Sequence, residues 1–147
     1  MGHLPSDRVF AVHNAVDANL FQPSSAAVGR SPMRQRLGVP NDAVAIGCVA
    51  RLMPPKGQET LIEAFASVLK TIPNARLVLA GQSQDAAPDG NGDYRDYLIR
   101  RALALGIEGA VVLPGFVPQP EMPEFYRALD LLAHPAVEEP FGLAVVE

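Results

Sequence analysis

Four short apolar runs constrain this chain most, because each is continuous rather than alternating. They are "VAIGCVA" at 44–50, "ARLVLAG" at 75–81, "AVVLPG" at 110–115 and "DLLAHP" at 130–135. A strand with apolar residues on both sides must be covered on both sides, which is the condition of a parallel sheet sandwiched between helices. The intervals supply those helices. Leu61, Phe65, Val68, Leu69 and Ile72 recur at three- and four-residue spacing, which predicts a helix over 58–72 ended by Pro73. Tyr94, Tyr97, Leu98, Ala102 and Leu105 predict another over 93–106, with Gly106 as its C-terminal cap. Met122, Phe125 and Leu129 carry a shorter one over 121–129. Strand and helix alternate, so the expected class is α/β: right-handed crossovers, a parallel sheet and helices on both faces.

The remainder reads as connection. "QSQDAAPDGNGD", 82–93, has no hydrophobic period and is expected to be an exposed loop. "FQPSSAAVGRSPM" is rich in Pro and Ser, and "VFAVHNAVD" ahead of it could add one more strand and turn. Residues 1–43 are therefore taken as a segment entering the domain, and 44–147 as the domain itself.

Composition excludes several functions. A net charge of −4 leaves no basic stripe for nucleic acid. Cys48 is the only cysteine, so no internal disulfide can form, and its apolar surroundings mark it as a small core residue. His3, His13 and His134 are far apart and no Cys/His cluster has zinc spacing, so no metal site is expected. No membrane span or signal peptide is visible, and a cytoplasmic location is the expectation.

Open parallel sheets bind ligands beyond the carboxyl ends of their strands, where strand order reverses. The common order 3-2-1-4 would set the first apolar run beside the fourth. The first ends in "RLMPPKGQ", the fourth in "HPAVEEPFG". Arg51 and Lys56, a planar fork and a point charge, suit a diphosphate. A helix starting near Phe141 would aim free N–H groups at the same anion. Carboxylates would repel a phosphate but can accept two hydroxyl bonds at once. A diphosphate flanked by hydroxyl-bearing groups describes a nucleotide sugar, with Glu139 at one end and Glu147 at the other. Plainer roles exist for each residue: Glu139 as a helix-dipole partner, Glu147 as a surface acid, His134 as a packing or hydrogen-bonding residue.

"VARLMPPKG" followed by "EEPFGLAVVE" resembles the retaining glycosyltransferases of the GT-B fold, the glycosyl transferases group 1 family. The likeness runs nearly end to end, through "VHNAVDANLFQP", "LVLAG", "VVLPGFV" and "MPEFYRALDLLAHPAVEEPFGLAVVE". Ala15 stands where the family has Gly, and Ala136 where it often has Ser. The resemblance implies that Arg51 and Lys56 hold the donor diphosphate and that Glu139 binds hydroxyls of the transferred sugar. Phe141, Gly142 and Leu143 would present backbone amides to sugar and phosphate. Glu147 would bind the ribose, and the backbone around Val117 the base.

It further implies one incomplete half of a GT-B fold: a Rossmann-like donor domain, with an N-terminal acceptor domain and closing C-terminal elements missing. The expected function is the donor-binding part of a retaining glycosyltransferase that moves a hexose from a nucleoside diphosphate sugar to an unknown acceptor. The alternative is a nucleotide-sugar binding module, inactive alone and completed by a partner or purely regulatory. Neither reading calls for a cofactor beyond the donor substrate, nor for a metal. Uncovered apolar sheet surface would favour self-association.

Overall fold

A computed structural model describes residues 9–23 and 31–147. Among these residues the order of regular elements is α1 (Pro32–Arg36), β1 (Ala45–Val49), α2 (Gln58–Val68), β2 (Arg76–Ala80), α3 (Tyr94–Ala104), β3 (Val111–Gly115), α4 (Met122–Arg127), β4 (Leu131–Leu132) and α5 (Leu143–Val146). Single 3₁₀ turns occupy Pro54–Lys56, Glu108–Ala110 and Gln119–Glu121. The strands form one parallel sheet in the order β3-β2-β1-β4. This is the expected order, and β1 lies directly against β4 through Ile46 with Leu131 and Gly47 with Leu132.

Strand alternation splits the core into two layers. Cys48, Leu77 and Leu79 face one side and pack with Ile62 and Phe65 of α2 and Leu98 and Ala102 of α3. Ala45, Val78 and Ala80 face the other and pack with Met33 of α1 and Met122 and Phe125 of α4. Both faces of the sheet are thus covered by helices, as the continuous apolar runs require. Cys48 is a core residue, and burial pushes its thiol up to about 11.

Several boundaries differ from the sequence reading. The helix expected over 58–72 closes at Val68, and the one over 121–129 spans only Met122–Arg127. Residues 9–17 form no strand: Val9, Phe10 and Val12 are exposed, and among the described residues no neighbouring strand offers them a ladder. The turn does form, with the N–H groups of Leu20 and Phe21 donating to the Asp17 carbonyl. Part of the Pro- and Ser-rich connection, residues 24–30, lies outside the described residues. Its end is helical: Ser31 caps α1 by accepting from the Met33 N–H at 3.2 Å, and Pro32 occupies the first turn. Within α1, buried Arg34 donates to the Ala43 carbonyl and lies 3.3 Å from Asp130, whose carboxylate also accepts from the Ala45 N–H at 2.7 Å. That pair fixes the entrance of β1 beside the entrance of β4. Among the described residues no helix is long and apolar enough to cross a membrane.

Candidate functional site

Two loops meet beyond the carboxyl ends of the adjacent strands β1 and β4. The loop after β1 turns at Pro54–Lys56 into α2, through Gly57 at φ 73°. Only a residue without a Cβ fits there: an added Cβ would collide with the Pro135 carbonyl oxygen and lie 3.0 Å from its carbon. The Val137 N–H donates to the Pro55 carbonyl at 3.0 Å, so the loop after β4 is tied to the first. Gln58, fully buried at the head of α2, donates from Nε2 to the Arg51 carbonyl at 2.8 Å and holds that backbone in place.

The loops carry an ion pair. Lys56 Nζ donates to Glu139 Oε2 at 2.9 Å and to the Glu138 carbonyl at 3.0 Å. The other carboxylate oxygen, Oε1, accepts from the Gly142 N–H at 2.9 Å and, at the limit of hydrogen bonding, from the Phe141 N–H at 3.5 Å. The Lys56 hydrogen bond first, and the Gly142 amide second, hold the Glu139 carboxyl down at about 2, from an ordinary 4.5. The helix expected from Phe141 begins two residues later, at Leu143, with Gly142 as a left-handed cap at φ 80°. The cause is local: Gly142 lies in the left-handed region, through which a right-handed helix cannot run, so the helix starts only after it.

Every residue singled out from the sequence lines one of two adjoining hollows. The first, about 350 Å³, is bordered by Arg51, Lys56, Glu139, Phe141, Gly142 and Leu143. The second, about 320 Å³, lies across the carboxyl ends of β1, β2 and β3, and includes Val117 and Glu147. Val49, Ala50 and Arg51 border both, so Arg51 stands at their junction. Among the described residues its side chain pairs with no carboxylate. Glu147 is held at both oxygens: Tyr126 Oη donates at 2.8 Å and Gln119 Nε2 at 3.3 Å. Burial and then the bond to Glu147 push the Tyr126 phenol well above its usual range.

The sequence reading missed part of the lining. Gln82, Gln84, Phe116 and Gln119 border the second hollow, and His134, expected only to pack or hydrogen-bond, borders the first. Each lies within four residues of the end of a strand, which is the signal that marks such positions. Tyr126 was read only as part of the family likeness, and its hydroxyl needed the fold to find Glu147.

The arrangement is a cleft along a strand crossover, cationic at one edge and acidic at two points. The family model described as "Glycosyl transferases group 1" matches residues 29–147. The chain belongs to that family. A D-inositol 3-phosphate glycosyltransferase of Thermobispora bispora is 36% identical over 148 residues, covering 99% of this chain and 33% of the relative. The crystal structure of Anabaena HepE in complex with UDP and glucose superposes with a TM-score of 0.75 at 33% identity, over 92% of this chain and 34% of that one. The C-terminal domain of a glycosyl transferase group 1 family protein from Francisella tularensis gives 0.74 at 26% identity, over 90% of this chain and 64% of that one. This group 1 chain therefore has the Rossmann-like α/β architecture of GT-B glycosyltransferases. It spans about a third of the length of the curated relatives it matches.

Proposed function

We propose that this chain is the donor-binding part of a retaining glycosyltransferase that takes a hexose from a nucleoside diphosphate sugar. The observation that carries the reading is the shared lining: residues from four separate stretches, around 51–56, 117, 139–143 and 147, border two hollows that meet at Arg51. The likeness to HepE, solved with UDP and glucose and separately with UDP-glucose, supports a nucleotide sugar as the ligand.

In this reading the nucleoside enters the second hollow, with its ribose hydroxyls on Glu147 and its base along the backbone near Val117. The diphosphate spans the junction at Arg51, and the sugar enters the first hollow against Glu139. Bond breaking puts negative charge on the leaving diphosphate. In this reading Arg51, Lys56 and the Leu143 amide stabilise that charge as it develops, which makes them catalytic in effect, while the Gly142 amide stays on Glu139. Lys56 must leave Glu139 to do so, and its departure frees the acid for the sugar. No residue of this chain is assigned as a nucleophile. The acceptor site belongs to another part of the protein, so the 147-residue chain alone is expected to bind donor weakly and transfer nothing.

Amide chemical-shift mapping with UDP-glucose at millimolar concentration tests this reading. Shifts confined to 51–57, 115–119 and 139–147 are expected. Shifts centred elsewhere, for example on the outer face of α3, would overturn it.

A further inference from the structure

Among the described residues, one buried group in the first hollow has no partner. His134 follows β4, and both ring nitrogens, Nδ1 and Nε2, are buried without a hydrogen bond. Buried polar atoms in folded proteins nearly always have partners, so a ring with two idle nitrogens marks a place completed by a change at the site. The atom it faces is identifiable: Nε2 lies 3.3 Å from Glu139 Oε2, the same oxygen that Lys56 occupies at 2.9 Å. The charged and titratable side chains lining this hollow are Arg51, Lys56, His134 and Glu139.

Two groups thus stand beside one carboxylate oxygen, and only the lysine bonds to it. On the reading that Lys56 serves a donor diphosphate, its departure would leave Glu139 Oε2 without its main partner. We infer that His134 is a positioning residue which takes over that oxygen. The imidazole takes one proton from solvent, and Nε2–H donates to Oε2. Glu139 Oε1 stays on the Gly142 amide, so the carboxylate keeps its orientation toward the sugar while Lys56 turns away. The chain would exchange one cation for another at a single atom, and donor binding would be accompanied by proton uptake at His134.

The test does not need the donor. The His134 ring is titrated by NMR in the wild type, in Lys56→Met and in Lys56→Met/Glu139→Gln, with assignment by loss of the signal in His134→Gln. Removing Lys56 imitates its departure. The His134 midpoint is expected to rise by about one pH unit or more in the single variant, as beside an uncompensated carboxylate, and to return in the double variant. No rise in Lys56→Met, with an amide spectrum that reports a folded chain, overturns the inference. Lys56→Gln replaces Lys56→Met if the latter does not fold. UDP is then added to the wild type and to Glu139→Gln. A rise larger in the wild type supports the exchange during donor binding. A rise in Lys56→Met but none with UDP defeats the donor reading and leaves the His134–Glu139 coupling standing.

Discussion

Gly57→Ala separates backbone strain from loop collision at the centre of the site. Gly57 sits at φ 73°, where an L residue pays about 1–2 kcal/mol from its own backbone. The new methyl would also meet the Pro135 carbonyl, closer than real Cβ atoms approach, and that oxygen belongs to a backbone that cannot rotate aside. Overpacking of this kind costs about 1–3 kcal/mol more. Gly106→Ala is the internal control: φ is 68°, nearly the same, and no heavy atom lies within 4 Å of its added Cβ. Urea denaturation should therefore give a loss of about 1–2 kcal/mol for Gly106→Ala and about 2–5 kcal/mol for Gly57→Ala. The excess is spent on pushing apart the loops that carry Lys56 and Glu139, so only Gly57→Ala should raise the Glu139 titration midpoint. Equal losses for the two variants would refute the close packing of the loops.

In the wild type the Glu139 carboxyl should titrate near 2 by carbon NMR, against an ordinary 4.5. Its folded value is the lower one, so its stabilisation is complete above about 4.5 and is lost as pH falls toward about 2; a midpoint near 4.5 would contradict the Lys56 pairing. Cys48, with its thiol held up at about 11 and 1% exposed, should resist a thiol reagent at pH 8 until urea unfolds the chain. Rapid labelling without denaturant would place it outside the core. In a full-length parent, Arg51→Ala should raise the transfer barrier by about 2–4 kcal/mol, and an unchanged rate constant with weakened binding would make Arg51 a ground-state contact only.

The parallel, doubly covered sheet was legible from apolar runs without alternation; its strand order was taken as the common one for such sheets, and that order put Arg51 and Lys56 opposite Glu139. The length of β4 was not legible. "DLLAHP" reads as six strand residues, but only Leu131–Leu132 are strand. Backbone bonds to β1 extend the contact one residue each way, from the Asp130 N–H to the Ala45 carbonyl and from the Ala133 N–H to the Gly47 carbonyl. Pro135 then has no N–H to give. Helix α1 escaped detection because five residues show no period, although Ser31 and Pro32 were a visible start signal. The Arg34–Asp130 pair joins residues 96 apart, which no local pattern can reveal. At the site, residue types pointed to ligand chemistry but not to how the residues treat one another. The Lys56–Glu139 pair, Tyr126 on Glu147, and the unpartnered His134 all depend on the fold.

Calorimetric titration of Glu139→Ala and Glu147→Ala with UDP-glucose and with UDP tests the central claim most directly. A sugar-binding Glu139 predicts that Glu139→Ala weakens UDP-glucose by about tenfold or more, the worth of hydrogen bonds to a charged group. UDP should bind as well as before or more tightly, because Lys56 is released from its acid. A ribose-binding Glu147 predicts that Glu147→Ala weakens both ligands alike. Equal weakening of UDP-glucose and UDP by Glu139→Ala would contradict the placement of the sugar in the first hollow.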